Sequence, residues 1–174
     1  GLVSSGLPDS LLHGWLMVYG LFPFFVFGFL FTAAPNWLSG PAIGRHAYVL
    51  TMLGMSVGTV LLYLGFSQSG LLLHLLGWSV AMQALLATLR AAKDPDRRHA
   101  WATWAALALG AAGELLMLAG LLFERWDWLQ PGIQLGIWGC LVSLFLTVCH
   151  RMIPFFTSRV VSNYVVIRPY ALLW

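Results

Sequence analysis

The stretch "LLHGWLMVYGLFPFFVFGFLFTAA", Leu11 to Ala34, holds no Asp, Glu, Lys or Arg in 24 residues. As a helix rising ~1.5 Å per residue it would be about 36 Å long, enough to cross a hydrocarbon core of about 30 Å. The run is longer than a soluble core helix needs, so it sets the class of the fold. The theme recurs from about Tyr48 to Phe66, Leu71 to Leu89, Ala100 to Phe123 and Ile133 to Phe156. The connectors "NWLSGPAIGR", "SQSG", "RAAKDPDRRH" and "ERWDWLQPG" are polar or carry Gly and Pro, which stops an apolar helix. The expected architecture is an all-α, polytopic transmembrane helix bundle with five complete spans. A possible sixth span begins at "YALLW" near the C-terminus. One integral membrane domain over residues 1–174 is expected, and a start without Met together with the unfinished last run points to a piece of a longer chain.

Composition agrees: 60% of residues are hydrophobic and only 9% charged, outside the range of soluble globular domains. The net charge of +3 does not point to nucleic acid, because the basic residues sit between apolar runs, where membrane topology explains them. Arg45, Arg90, Lys93, Arg97, Arg98, Arg151, Arg159 and Arg168 fall at the ends of spans one, three and five, leaving Arg125 alone opposite. By the positive-inside rule the N-terminus is expected in the periplasm of a bacterial inner membrane, with the bilayer as first partner. No signal peptide is expected, since the first ten residues carry Asp9 and neither Lys nor Arg. Trp37, Trp126 and Trp128 suit interfacial belts. Cys140 and Cys149, nine residues apart on one helix, lie about 13 Å apart along its axis, too far for a disulfide.

Ionisable side chains inside spans are costly in lipid and are candidate functional residues. His13 has Met17 one turn deeper on the same face, a pair able to ligate a metal. Gly20, Phe24 and Gly28 continue that face, where a flat cofactor could approach, and Pro23 is a candidate bend. His74 is expected at the same depth on span three, so His13 and His74 are a candidate axial pair for one haem iron. His150 shares a small, polar helix face with Gly136, Ser143, Thr147 and Pro154. It lies in the other half of the bilayer, so it serves a different site or an interhelical hydrogen bond. Glu114, the acid nearest mid-membrane, continues the small face of Ala106 and Gly110, with Gln83 as its expected partner in a proton or polar site. For each histidine the plain alternative is a hydrogen-bonded interfacial or interhelical residue.

Two motifs carry a resemblance. "HGWLMVYGLFPFFVFGFLFTAAPNW", His13 to Trp37, is similar to the first helix of the NnrS family, and "RMIPFFT", Arg151 to Thr157, resembles a signature of the same family. His13, Met17, Gly20, Gly28, Phe29, Leu30, Thr32, Ala33, Pro35, Asn36 and Trp37 sit on the first pattern. The family's second His and its Glu before that Met are replaced here by Trp15 and Leu16, which weakens the expectation of copper at His13, Met17 and His74. The resemblance implies a bacterial inner-membrane protein of about a dozen helices, of which this chain covers the N-terminal half, containing haem and copper and associated with resistance to nitric oxide. It leaves open whether the protein is an enzyme. The expected function is a haem-binding membrane protein of the nitric oxide response, with His13, His74 and His150 as candidate ligands. The alternative is a cofactor-free scaffold or accessory subunit of a larger membrane complex, which the departure at Trp15 and Leu16 and the Gly-rich helix faces favour. In the "RMIPFFT" stretch, Arg151 is expected to mark the cytoplasmic end of span five and Pro154 to end or kink it.

Overall fold

The computed structural model describes residues 7–165. The possible sixth span and Arg168 lie outside these residues. The described chain is all-helical, with five helices long and apolar enough to cross a membrane: α1 (Asp9–Leu38), α2 (Arg45–Tyr63), α3 (Ser67–Arg90), α4 (Arg98–Leu122) and α5 (Trp126–Val160). The protein is therefore a multi-pass membrane protein. The basic residues Arg45, Arg90, Lys93, Arg97, Arg98, Arg151 and Arg159 gather at one end of the bundle, called here the basic end.

Two helices run longer than their apolar letters predict. Pro35 was expected to end α1, yet the helix continues to Leu38 and closes on Ser39 in the left-handed region (φ 47°), with the Gly40 N–H donating to the Pro35 carbonyl at 3.0 Å. Pro154 likewise lies inside α5, which runs on to Val160. Each proline removes one amide donor but leaves its own carbonyl to accept, so a helix end near the interface absorbs it.

α2 and α3 form a hairpin packed backbone to backbone. A Cβ built on Gly58 would lie 2.6 Å from the His74 amide nitrogen, and one on Gly70 would lie 2.6 Å from that of Leu62. Gly54 and Gly77 meet in the same seam. Small residues permit this approach, and in lipid, where helices gain nothing by hiding apolar surface from water, close packing is the main attraction between them.

The core runs down the bundle axis through Trp15, Tyr19, Phe27, Phe31, Met55, Leu71, Trp78, Leu107 and Met117, all buried. Its aromatic rings meet edge to face, Phe27 against Trp78 at 5.0 Å and Phe31 against Tyr48 at 4.8 Å between centroids, as their quadrupoles favour. Phe25, Phe145, Leu50 and Val60 are among the apolar side chains that form the exposed girdle expected of a lipid-facing surface.

Two helices contain π-helical turns, Leu16–Leu21 in α1 and Leu135–Val142 in α5. Such turns carry one residue more than an α-turn and recur at functional sites. The two touch: the Tyr19 hydroxyl donates to the Gly132 carbonyl at 2.8 Å, and a Cβ on Gly113 or Gly136 would collide with its oxygen.

Candidate functional site

Beside these π-turns the bundle buries an acid and an imidazole together. His74 stands seven residues into α3, about 10 Å from the Ser67 end, and Glu114 stands eight residues before the end of α4, about 12 Å in. The antiparallel neighbours thus bring them level. Both side chains are fully buried. The His74 Nδ1 lies 2.8 Å from Oε1 and 3.0 Å from Oε2 of Glu114, with the better-directed hydrogen bond at Oε2. The other ring nitrogen, Nε2, lies 3.1 Å from the backbone carbonyl oxygen of Tyr19.

The proton content follows from these partners. A carbonyl only accepts, so Nε2 carries a hydrogen and donates it. A second hydrogen lies between Nδ1 and the carboxyl, either on the ring as imidazolium with carboxylate or on the acid facing a neutral ring. Both forms have zero net charge, which limits the penalty of burying ionisable groups in a low-dielectric interior. They differ by one proton moved across a gap of 3.0 Å or less. The arrangement can therefore take up, hold or hand over a proton.

Aromatic rings close the site. Trp15 meets His74 edge-on at 5.0 Å, and Trp78 lies at 6.3 Å while donating its Nε1–H to the Leu107 carbonyl at 3.2 Å. The Trp15 Nε1 is buried and finds no acceptor among the described residues. Its cost in lipid marks the site as one where local satisfaction is incomplete.

The other candidates are distributed differently. His13 and Met17 are exposed, whereas His74 is fully buried with its two ring nitrogens on Glu114 and Tyr19. Gln83 is exposed on α3 and lies nine residues past His74, about 13 Å further along the axis, so Glu114 takes His74 as its partner instead. Gly28 does lie open, since a Cβ there would meet nothing within 4 Å.

His150 meets a residue that sequence reasoning passed over. The His99 Nε2, near the start of α4, lies 2.9 Å from the His150 Nδ1, with the rings 5.1 Å apart. His99 is buried and His150 partly so. This second pair sits at the basic end, since His99 precedes Glu114 by 15 residues, about 22 Å along α4. The signal that could have found His99 is its place one helical turn before Thr103 on the buried face. Its neighbours Arg97 and Arg98 made it look like loop. No group of three or more His, Cys, Asp or Glu gathers as a metal site among the described residues. Cys140 and Cys149 are free thiols.

A family model described as "NnrS protein" matches residues 2–173, nearly the whole chain. No curated protein and no solved structure matches it.

Proposed function

The chain belongs to the NnrS family, and on that premise we propose that it serves the response to nitric oxide as a membrane protein whose working element is the buried His74–Glu114 pair. One observation carries this reading: an imidazole and a carboxyl, both fully buried, stand within hydrogen-bond distance of each other, 2.8–3.0 Å, inside the bundle. Packing alone would be better served there by apolar side chains, because desolvating two ionisable groups gives back much of their attraction. The pair's role is to hold a proton within the membrane at zero net charge and hand it on, the carboxylate left on Glu114 then drawing in the next proton. The basic residues on one end support an inner-membrane orientation with the N-terminus in the periplasm.

The cofactors implied by the resemblance fit unequally. The residues do not fit a haem held between His13 and His74: both nitrogens of His74 are engaged, its ring is walled by Trp15, and His13 is exposed. No step of the proposed role passes through haem. Copper at His13, Met17 and His74 fails for the same reason. His99 and His150 would offer a copper-class ion two imidazole nitrogens that lie close together. The observed separation is 2.9 Å. Such an ion would supply one-electron chemistry and open positions for a small ligand, with His99 and His150 holding it.

The test is survival under a nitric oxide donor. Cells relying on this protein lose protection when it carries Glu114→Gln, at unchanged membrane abundance; full protection by that variant overturns the reading. The alternative, a cofactor-free scaffold or accessory subunit, is favoured by the glycine seam of α2 and α3. It requires that Glu114→Gln protect fully and that the purified protein show no haem absorption and no bound metal.

A further inference from the structure

The two sequence motifs that carry the resemblance, far apart in the chain, face each other across one seam. α1 and α5 are held together near their π-turns by Tyr19 on Gly132, and towards the basic end they part. Between them runs an apolar groove of about 440 Å³, walled by Phe22, Phe25 and Phe29 of α1 and by Leu141, Phe145 and Val148 of α5. Where the groove nears the basic end a second cavity of about 370 Å³ opens, lined by Asn36, Trp37, Arg151, Met152 and Phe155. The two are joined by the Phe29 ring, whose centroid lies 5.5 Å from that of Trp37, and by the single helical turn from Val148 to Met152.

The chemistry of the seam changes along its length. Its deep part offers only hydrocarbon. Its mouth holds a guanidinium seated on an indole, with the Arg151 Cζ 5.2 Å from the Trp37 ring and its Nη2 donating to the Trp37 carbonyl at 3.4 Å. A second guanidinium, that of Arg159, lies 5.3 Å over the Phe155 ring on the rim. Neither wall carries an acid: α1 has none after Asp9, and α5 has none after Asp127, which lies at the opposite end. From Trp37 to Phe22 the groove follows about 22 Å of helix, more than the depth of one leaflet, about half of the ~30 Å hydrocarbon core.

We propose that the α1–α5 seam binds one anionic phospholipid, its phosphate at Arg151 beside Trp37 and an acyl chain in the phenylalanine groove. A positive, amphipathic mouth over a dry groove matches a molecule with one charged end and a long apolar tail. Basic pockets between helices on the positively charged side of a membrane protein are suited to acidic head groups. Arg is also the better cation here, because its planar group stacks on Trp37 and its fork of N–H groups matches the geometry of phosphate oxygens.

The experiment uses the whole protein, purified in a neutral detergent and analysed by native mass spectrometry after exchange into vesicles of phosphatidylcholine with one-fifth phosphatidylglycerol. One phosphatidylglycerol should stay bound per chain. Arg151→Gln should reduce that occupancy about tenfold, and Val148→Trp, which fills the groove and leaves every charge in place, should reduce it as strongly. Arg45→Gln, at the same end but away from the seam, should not. Equal losses in Arg151→Gln and Arg45→Gln would mean diffuse charge attraction and overturn the proposal. So would retention of phosphatidylcholine to the same extent, displacement by millimolar inorganic phosphate, or a photo-crosslinker at Phe145 that captures protein instead of lipid. Circular dichroism of each variant identifies any that fails to fold; for Arg151, Arg151→Lys, which keeps the charge but not the stacked fork, then gives the reading, with partial loss expected and none overturning the site.

Discussion

Replacing Glu114 in two ways separates shape from proton. In Glu114→Gln the side-chain amide occupies the same volume and its N–H can donate to Nδ1 of a neutral His74, whose Nε2–H still donates to the Tyr19 carbonyl. Every hydrogen bond survives, so stability should stay within about 1 kcal/mol of wild type, the net worth of one such bond. In Glu114→Ala, Nδ1 loses its partner in a dry interior and a void opens beside it. Removing one member of a buried pair costs about 3–5 kcal/mol in soluble proteins. Interhelical hydrogen bonds in membranes are worth less, about 0.6 kcal/mol on average and up to ~1.7, because the unfolded helices find other partners in lipid. Full burial of both groups sets the Glu114→Ala loss between these limits, about 2–3 kcal/mol. The assay is equilibrium unfolding in mixed micelles of dodecyl sulfate and a neutral detergent, followed by helix content and by tryptophan emission from Trp15 and Trp78. If Glu114→Gln is as unstable as Glu114→Ala, the neutral form of the pair is refuted and the imidazolium–carboxylate ion pair itself carries the stability. Stable Glu114→Gln protein that no longer protects cells assigns the loss to the proton.

Gly58→Ala should weaken the α2–α3 hairpin by several kcal/mol, because its Cβ meets the His74 backbone and not a flexible side chain; a melting temperature unchanged from wild type would contradict that contact. Tyr19→Phe removes one hydrogen bond to Gly132 without changing the packing, and should lower stability by about 1 kcal/mol in the same unfolding assay. Metal analysis of purified protein should find copper-class ion lost in His99→Ala and His150→Ala and kept in His13→Ala; the opposite pattern returns the site to α1. A cysteine near Gln68 should react with an impermeant thiol reagent added from the periplasmic side, and one near Asp96 should not, with the reverse labelling defeating the orientation.

The bundle was legible because lipid imposes a simple rule: spans must be apolar for about 20 residues, and basic residues mark one side. All five runs became helices, and the small face of α4 with Ala106, Gly110 and Glu114 turned inward as expected, whereas the glycine seam of α2 and α3 was not read from the sequence. The site was legible only in part. His74 and Glu114 stood out as ionisable residues in spans, but Gln83 was given to Glu114 by a depth estimate that ignored the opposite directions of α3 and α4. The placing of His13 with His74 failed for another reason. It rested on depth alone, and depth does not say which face of a helix a residue takes: Trp15 and Tyr19 are buried beside His74, whereas His13 and Met17 are exposed. Neither π-turn has a sequence signature, and Pro23, the one visible irregularity, follows the first of them. His99 was hidden by its charged neighbours.

The two π-turns also bear on how sequences of this kind should be compared. A turn closed from i to i+5 is what an α-helix becomes when it accepts one inserted residue without unravelling. Deleting one residue within Leu16–Leu21 would restore an unbroken α-ladder and rotate everything before it by about 100° relative to everything after. His13 and Trp15 would then change faces while Phe27 and Phe31 kept theirs. An alignment is thus expected to need a single-residue gap at Leu16–Leu21 or Leu135–Val142 wherever the other chain lacks the π-turn. A gapless alignment there would pair residues that face lipid in one protein with residues that face His74 in another.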